Sequence, residues 1–182
     1  MSEISVLRKP FIIGVMGGHE IAADFIKQAQ LIGEAVAKRG YVLLTGGGPG
    51  IMRAASEGAY RAGGLVIGIL PNERRRHVPG YPNEFVDIPI YTGMSDARNA
   101  INAKTPHVLI ALNGGMGTLS EIALALRAGT PVIGFGCPEF ALEKGHDFTR
   151  VTSVEGAISV MENILVRYKD KTTIQAEEQP VI

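Results

Sequence analysis

The sequence has no tryptophan, one cysteine and no excess charge of either sign. A lone thiol, Cys137 in GFGCPEF, excludes an internal disulfide and cannot build a zinc site by itself; after a strand it reads as a small buried group. Lys+Arg and Asp+Glu both number 18, so no global field draws in nucleic acid or an acidic membrane surface. Aromatics make up 6% of the chain, which leaves few platforms for stacked bases. No segment approaches the ~20 apolar residues of a membrane span. Arg8-Lys9 before FIIGVMGG superficially resembles a signal sequence, but the apolar run is too short and lacks a small-residue cleavage pattern. It reads as a first strand. His19, His77, His107 and His146 lack metal-ligand spacing, and no metal site is expected. These absences predict a soluble, cytoplasmic protein that binds neither nucleic acid nor membrane.

At 182 residues the chain is long enough for one domain with a full core. The expected folded core spans about 10–169, followed by a loose polar tail over about 170–182. No solenoid-length repeat is visible.

Glycine is what the chain has in number, 23 residues of it, and three clusters follow apolar strands. The central stretch is ALNGGMGTLSEIALALRA, Ala111 to Ala128. A strand from His107 to Leu112 enters Gly114, Gly115 and Gly117, and Thr118 is expected to open a helix. Glycine lets the backbone turn sharply and approach a ligand closely. Helix-opening N–H groups lack intrahelical partners and favour an anion. Thr118-Leu-Ser-Glu121 also fits a capping box, with Glu121 reaching back to the Thr118 N–H. Both roles stay open for Glu121.

The same order, strand then glycine turn then helix, recurs along the chain. Phe11 to Met16 leads into Gly17-Gly18-His19-Glu20 and a helix from about Ala22 to Arg39, with Phe25, Ala29, Ile32 and Val36 on one face. Tyr41 to Thr45 enters Gly46-Gly47-Gly48-Pro49-Gly50; Pro49 suits a first helical position, and the helix runs to about Ala62. Leu65 to Leu70 and Val86 to Ile90 are further strands. Between them, Arg74-Arg75-Arg76-His77 is either a solvated basic loop or a flap that brings cations to a phosphate. TGMSDARNAINAKT is a helix with Asp96 and Arg98 near its start. Pro131 to Phe135 and Arg150 to Thr152 complete seven strands, and Thr152-Ser-Val-Glu155 reads as a capping box opening a helix to about Tyr168. Continuous apolar strands indicate a doubly wound, mostly parallel α/β sheet with helices on both faces. The three glycine turns then share its C-terminal edge, where such sheets bind ligands.

Known phosphate-loop motifs are missing. The second turn lacks the third glycine of the dinucleotide fingerprint, and no turn carries Gly-Lys-Ser/Thr. A Gly-x-Ser-x-Gly elbow is absent too. TGGGPGIMRAASEGA, GGLVIGILP, GMSDARN and GGMGTLSEIALAL together resemble the superfamily of the LONELY GUY proteins, cytokinin riboside monophosphate phosphoribohydrolases with a modified Rossmann fold. The resemblance runs from Phe11 to about Val166. It implies a site built on the arginine of Met-x-x-Arg-Lys and the glutamate of Pro-Gly-Gly-x-Gly-Thr-x-x-Glu, here Arg98 and Glu121. Two departures stand out: one extra residue precedes Arg98 and Asn99 follows it in place of lysine, and Asn113 replaces the proline. Both are similar to the branch that contains the molybdenum cofactor carrier, which implies storage or delivery of a pterin as cargo.

The first expectation is therefore a carrier for a phosphate-bearing cofactor, held by Gly17, Gly18, Gly46, Gly47, Gly48, Gly50, Arg98, Asn99, Gly114, Gly115, Gly117 and Thr118. The second is a phosphoribohydrolase, in which the Glu121 carboxylate stabilises positive charge on the ribose and orients water, with Arg98 as its catalytic partner. A third relative, the DNA-processing protein A fold, implies single-stranded DNA binding, which the charge and aromatic content disfavour. A homodimer or homotetramer is expected as well. The run Ile122-Ala-Leu-Ala-Leu126 is apolar nearly all round its helix and needs a cover on every side.

Overall fold

The computed structural model describes residues 9–19, 22–137, 139–141 and 145–177, with side chains to 168. Its strands are β1 (Ile12–Gly17), β2 (Val42–Thr45), β3 (Val66–Leu70), β4 (Ile88–Tyr91), β5 (Val108–Leu112), β6 (Val132–Phe135) and β7 (Phe148–Val151). Five helices, α1 (Ala23–Lys38), α2 (Ile51–Arg61), α3 (Asn99–Lys104), α4 (Met116–Ala128) and α5 (Val154–Glu177), connect or follow them, and a 3-10 turn at Ser95–Arg98 leads into α3. The strands form one sheet in the order β4-β3-β2-β1-β5-β6-β7, and every pairing is parallel. Strand order reverses at β1, between β2 and β5.

Alternation along the strands sorts the core into two layers. Ile13 and Val15 of β1, Leu43 of β2 and Val108, Ile110 and Leu112 of β5 face one way, into a layer with Ile32 and Val36 of α1, Ala55 and Ala59 of α2, and Met161 and Leu165 of α5. Met16, Leu44, Leu109 and Ala111 face the other way, against Ala103 of α3 and Ile122 and Ala125 of α4. The central strands are covered on both faces, which is why their sequences are apolar without alternation.

Several boundaries differ from the sequence reading, each for a local reason. α2 starts at Ile51 rather than Pro49. Gly50 takes φ +67, and the Ile51 N–H donates to the Gly18 carbonyl at 3.1 Å, so the helix starts two residues later. Thr118 does not open α4. The helix begins at Met116 with Gly115 as its N-cap, and Thr118 and Glu121 already lie inside it. The second box is shifted too, since Ser153 rather than Thr152 caps α5 by accepting the Gly156 N–H at 3.0 Å. β7 lies earlier than Arg150–Thr152 because Phe148 pairs with Val132 and its ring rests on Gly134. α5 continues to Glu177, past the expected start of the tail at Asp170, and after Gly156 no glycine or proline occurs before Pro180. The rest of the expected tail, 178–182, lies outside the described residues.

Candidate functional site

The three glycine turns follow β1, β2 and β5 at their C-terminal edge, and the first and third line a pocket of about 260 Å³; Gly18, Gly46, Gly47, Gly48, Gly50 and Gly114, expected to hold the ligand, are not among its lining residues. β1 and the turn after it supply Gly17 and His19, and α2 supplies Met52. Arg98 and Asn99 come from the junction of the 3-10 turn and α3, while Gly115, Gly117, Thr118 and Glu121 come from the start of α4. Pro71, Tyr81 and Asp96 close the side.

The glycines divide into two groups. In the second turn the missing Cβ makes room for the protein's own atoms: Gly46 lies against the Arg98 guanidinium, Gly48 against the Tyr81 ring, Gly47 against Leu70 and Gly50 against the Gly18 and His19 backbone. Gly114 is similarly close to Thr118 Oγ1 and the Gly18 N–H. A Cβ at Gly115 or Gly117 would meet nothing within 4 Å, so the helix opening is bare on that side. Backbone N–H groups at such an opening have no intrahelical acceptors.

Arg98 is 7% exposed, and its Nε and Nη1 have no hydrogen-bond partner among the described residues. Its nearest anion is Glu121, with Nη1 and Oε1 3.9 Å apart, too far for a hydrogen bond. Glu121 is 6% exposed and its Oε1 accepts from Asn102 Nδ2 at 2.8 Å. The capping-box role is thereby corrected: this carboxylate sits in the second turn of α4 and is directed at α3, not back at a helix N-terminus. A buried guanidinium with unmet donors is costly unless something anionic or polar meets it.

Burial pushes the Glu121 carboxyl above the ordinary carboxylate range, against opposing pulls from the Asn102 hydrogen bond and the Arg98 charge. Its folded value exceeds its unfolded one, so its contribution to stability is complete below the unfolded pKa. That contribution is lost as pH rises through the folded value. Glu121→Gln keeps an oxygen for Asn102 and removes the titration. Urea midpoints recorded from pH 4 to 8 should fall with rising pH in the wild type more steeply than in this variant.

The loop between β3 and β4 is exposed at Arg74 to His77, as a solvated basic loop is, and pinned further on at Asn83. The Asn83 N–H donates to the Gly47 carbonyl at 2.8 Å, Asn83 Nδ2 donates to the Gly48 carbonyl at 3.0 Å, and Arg53 pairs with Glu84. It delivers Tyr81, whose hydroxyl lies 3.1 Å from His19 Nε2. None of Arg74 to His77 lines the pocket, and Arg74 stacks on Tyr91 at 4.6 Å. Tyr81 and Met52 line the pocket, and Asn83 and Asn102 hold the second turn and Glu121; motif reading passes over all four. Asn102 alone had a signal: four residues after Arg98, it shares that helix face. His107 is structural, its Nδ1 accepting the Ile12 N–H at 3.1 Å. Cys137 is buried and its thiol donates to the Ala111 carbonyl at 3.0 Å.

Asn113, which precedes the third turn, takes φ +42 and its Oδ1 accepts the Gly114 N–H at 2.6 Å. A proline ring holds φ near −65° and cannot adopt that conformation. The Asn113 departure is thus a difference of backbone shape.

A parallel α/β sheet with a buried arginine and a glycine-lined pocket at its switch point defines a Rossmann-like fold, the class of sheet that binds ligands at that point. Residues 10–164 match the SLOG cluster4 family, and the chain belongs to it. The molybdenum cofactor binding protein from the phototrophic bacterium Rippkaea orientalis is 40% identical, with a TM-score of 0.78 over 86% of this chain and 98% of that one. The molybdenum cofactor carrier protein from Chlamydomonas reinhardtii is 37% identical, with a TM-score of 0.77 over 87% of this chain and 99% of that one. A probable cytokinin riboside 5'-monophosphate phosphoribohydrolase from Oryza sativa subsp. japonica is 31% identical over 105 residues, 55% of this chain and 40% of that one. The chain thus lies in the carrier-like branch of the LONELY GUY-related superfamily, as the motifs indicate. Among the described residues no helix is long and apolar enough to cross a membrane.

Proposed function

We propose that this chain binds and carries a phosphate-bearing pterin, the molybdenum cofactor, as cargo. The observation that carries the reading is Arg98, buried beside the bare opening of α4 with Nε and Nη1 unpartnered among the described residues. A phosphate there would meet the guanidinium and the backbone N–H groups around Gly115, Gly117 and Thr118 together. Similarity to two proteins named for binding or carrying the molybdenum cofactor supports the choice of ligand. The metal end of the cofactor would lie toward the open side of the pocket, and the chain's own residues would act by binding alone.

The Arg98–Glu121 pair favours a second reading, a nucleoside 5'-monophosphate phosphoribohydrolase. Asn113 weighs against it, because its φ of +42 shapes the third turn in a way proline cannot. One experiment separates the two. Saturable binding of molybdenum cofactor that survives in Glu121→Gln, with no base released from AMP, is expected. Release of base at about 1 s⁻¹ or faster, lost in Glu121→Gln, would establish the hydrolase.

The protein should also be a homo-oligomer, at least a dimer. On α4, Met116 is 83% exposed and Ala123 is exposed, with Leu119 and Leu124 only half-covered. That apolar face supports a second copy of the chain as its cover. Light scattering at micromolar concentration should give a mass well above 19.4 kDa; a particle of 19.4 kDa would reject the oligomer.

A further inference from the structure

Beside the pocket lies a recess of about 310 Å³, and Pro71 and Asp96 line both spaces. Asn72, Glu73 and Arg76 line the recess alone. The recess is built rather than a gap between loose side chains. Asn72 is 7% exposed, and its Nδ2 donates to the carbonyls of Glu73 at 3.1 Å and Arg76 at 2.8 Å. The other half of the amide, Oδ1, has no donor among the described residues. The turn carrying Asp96 is tied to this strand end. Ser95, at φ +50, donates its N–H to the Pro71 carbonyl at 2.9 Å, and the Gly93 N–H donates to the Asn72 carbonyl at 3.2 Å.

The polarity of the recess is opposite to that of the pocket. Arg98 brings unmet donors to the pocket, whereas the recess has two carboxylates, Glu73 and Asp96, and a free amide oxygen against one cation, Arg76. Asp96 is two residues from Arg98 and stands on the shared wall. A carboxylate there repels a bare anion in the pocket. It suits a ligand with an anion at one end and N–H donors at the other. Ligand sites typically measure about 300–1,000 Å³; the pocket lies below that range and the recess at its lower edge, and the two together suit a phosphate ester of a fused-ring heterocycle.

We propose that the recess reads the N–H edge of a 2-amino-4-oxo heterocycle, the edge that pterins share with guanine, while the ligand's phosphate lies on the Arg98 side. Asp96 accepts from the ring N–H and the exocyclic amine, and Asn72 Oδ1 offers a further acceptor. Adenine presents a lone pair on the matching edge and would be refused. The inference rests on the phosphate-ligand reading above and adds which base the site selects.

Titration calorimetry of the full chain with GMP, AMP and inorganic phosphate tests it. GMP should bind about tenfold tighter than AMP or better, and Asp96→Asn should remove that preference by weakening GMP about tenfold, while AMP and phosphate, relieved of the carboxylate's repulsion, bind at least as tightly as before. Molybdenum cofactor, run in competition with GMP, separates the two sources. A cofactor affinity above that of GMP and sensitive to Asp96→Asn assigns a pterin, and the reverse assigns a guanine nucleotide. Equal GMP and AMP affinities in the wild type, or equal weakening of both by Asp96→Asn, would overturn the inference and leave the anion pocket standing. A wild type that binds neither phosphate nor either nucleotide would overturn the pocket itself, and the base reading with it. Asp96 also lies in the first turn of the 3-10 segment, so the thermal midpoint of Asp96→Asn reports any structural role separately.

Discussion

Replacing Arg98 with alanine is expected to weaken binding of a phosphate ester about 100-fold. A hydrogen bond from a charged donor is worth roughly 1.5–3 kcal/mol, and each 1.4 kcal/mol is a factor of about ten. Nε and Nη1 are two buried donors without partners among the described residues, so a phosphate that reaches the guanidinium would gain up to two such bonds. The desolvation that usually cancels the gain has already happened, because Arg98 is buried before the ligand arrives. Arg98→Lys should recover only part of the affinity, since an ammonium keeps the charge and loses the planar fork. Calorimetry with AMP or molybdenum cofactor is the measurement. An alanine variant within about threefold of wild type would remove Arg98 from the site. Its thermal midpoint should also fall, because Glu121 would remain buried with Asn102 and no cation nearby.

The largest effect on stability is expected far from the site, where α1 crosses α2. The helices meet through Gly33 and Gly58. A Cβ on Gly58 would press into the Gln30 carbonyl oxygen and stand 2.9 Å from the Gln30 Cα, and one on Gly33 would press into the Ala55 carbonyl. These are backbone atoms of the opposing helix, so no rotamer change relieves the clash. The helices must part, and Ala29, Ile32, Val36, Ala55 and Ala59 then lose their close packing. Gly58→Val should cost about 3 kcal/mol, the upper end for overpacking, because valine recovers little in helix propensity. For a chain of this size that lowers the melting temperature by about 6–12 °C. Gly156→Ala, in the first turn of α5, is the control. Its Cβ would meet only side chains, the nearest being Ser153 Oγ at 3.2 Å, so its midpoint should stay near wild type or rise. If Gly58→Val melts with the wild type, the close crossing is not a constraint.

Strands and glycine turns were legible in the sequence because both depend on local chemistry. A strand covered on two faces must be apolar at every position, and β5, from Val108 to Leu112, is buried at all five. Helix starts were less legible. Thr-x-x-Glu marks a box only if the helix begins at the threonine, and Gly115, with no side chain to signal a cap, begins α4 earlier. Glu121 therefore gained a tertiary partner, Asn102, that no pattern within its own helix contains. Tyr81 was invisible for another reason. It lies in a segment without periodicity, and what fixes it is Asn83, whose partners at Gly47 and Gly48 are more than thirty residues earlier.

The sheet order has a consequence for the lifetime of the protein. β1 and β5 are neighbours in space, yet one opens the chain's first half and the other its second, and the pocket draws Gly17 and His19 from one side of that seam and Thr118 and Glu121 from the other. A ligand lodged there staples the seam and must leave before the halves separate. At a concentration 100 times its dissociation constant it adds about 2.7 kcal/mol to the stability of the native state. For a carrier, loading then doubles as protection. On the carrier reading the empty molecule would open more often, so limited proteolysis should cut it faster than the loaded one.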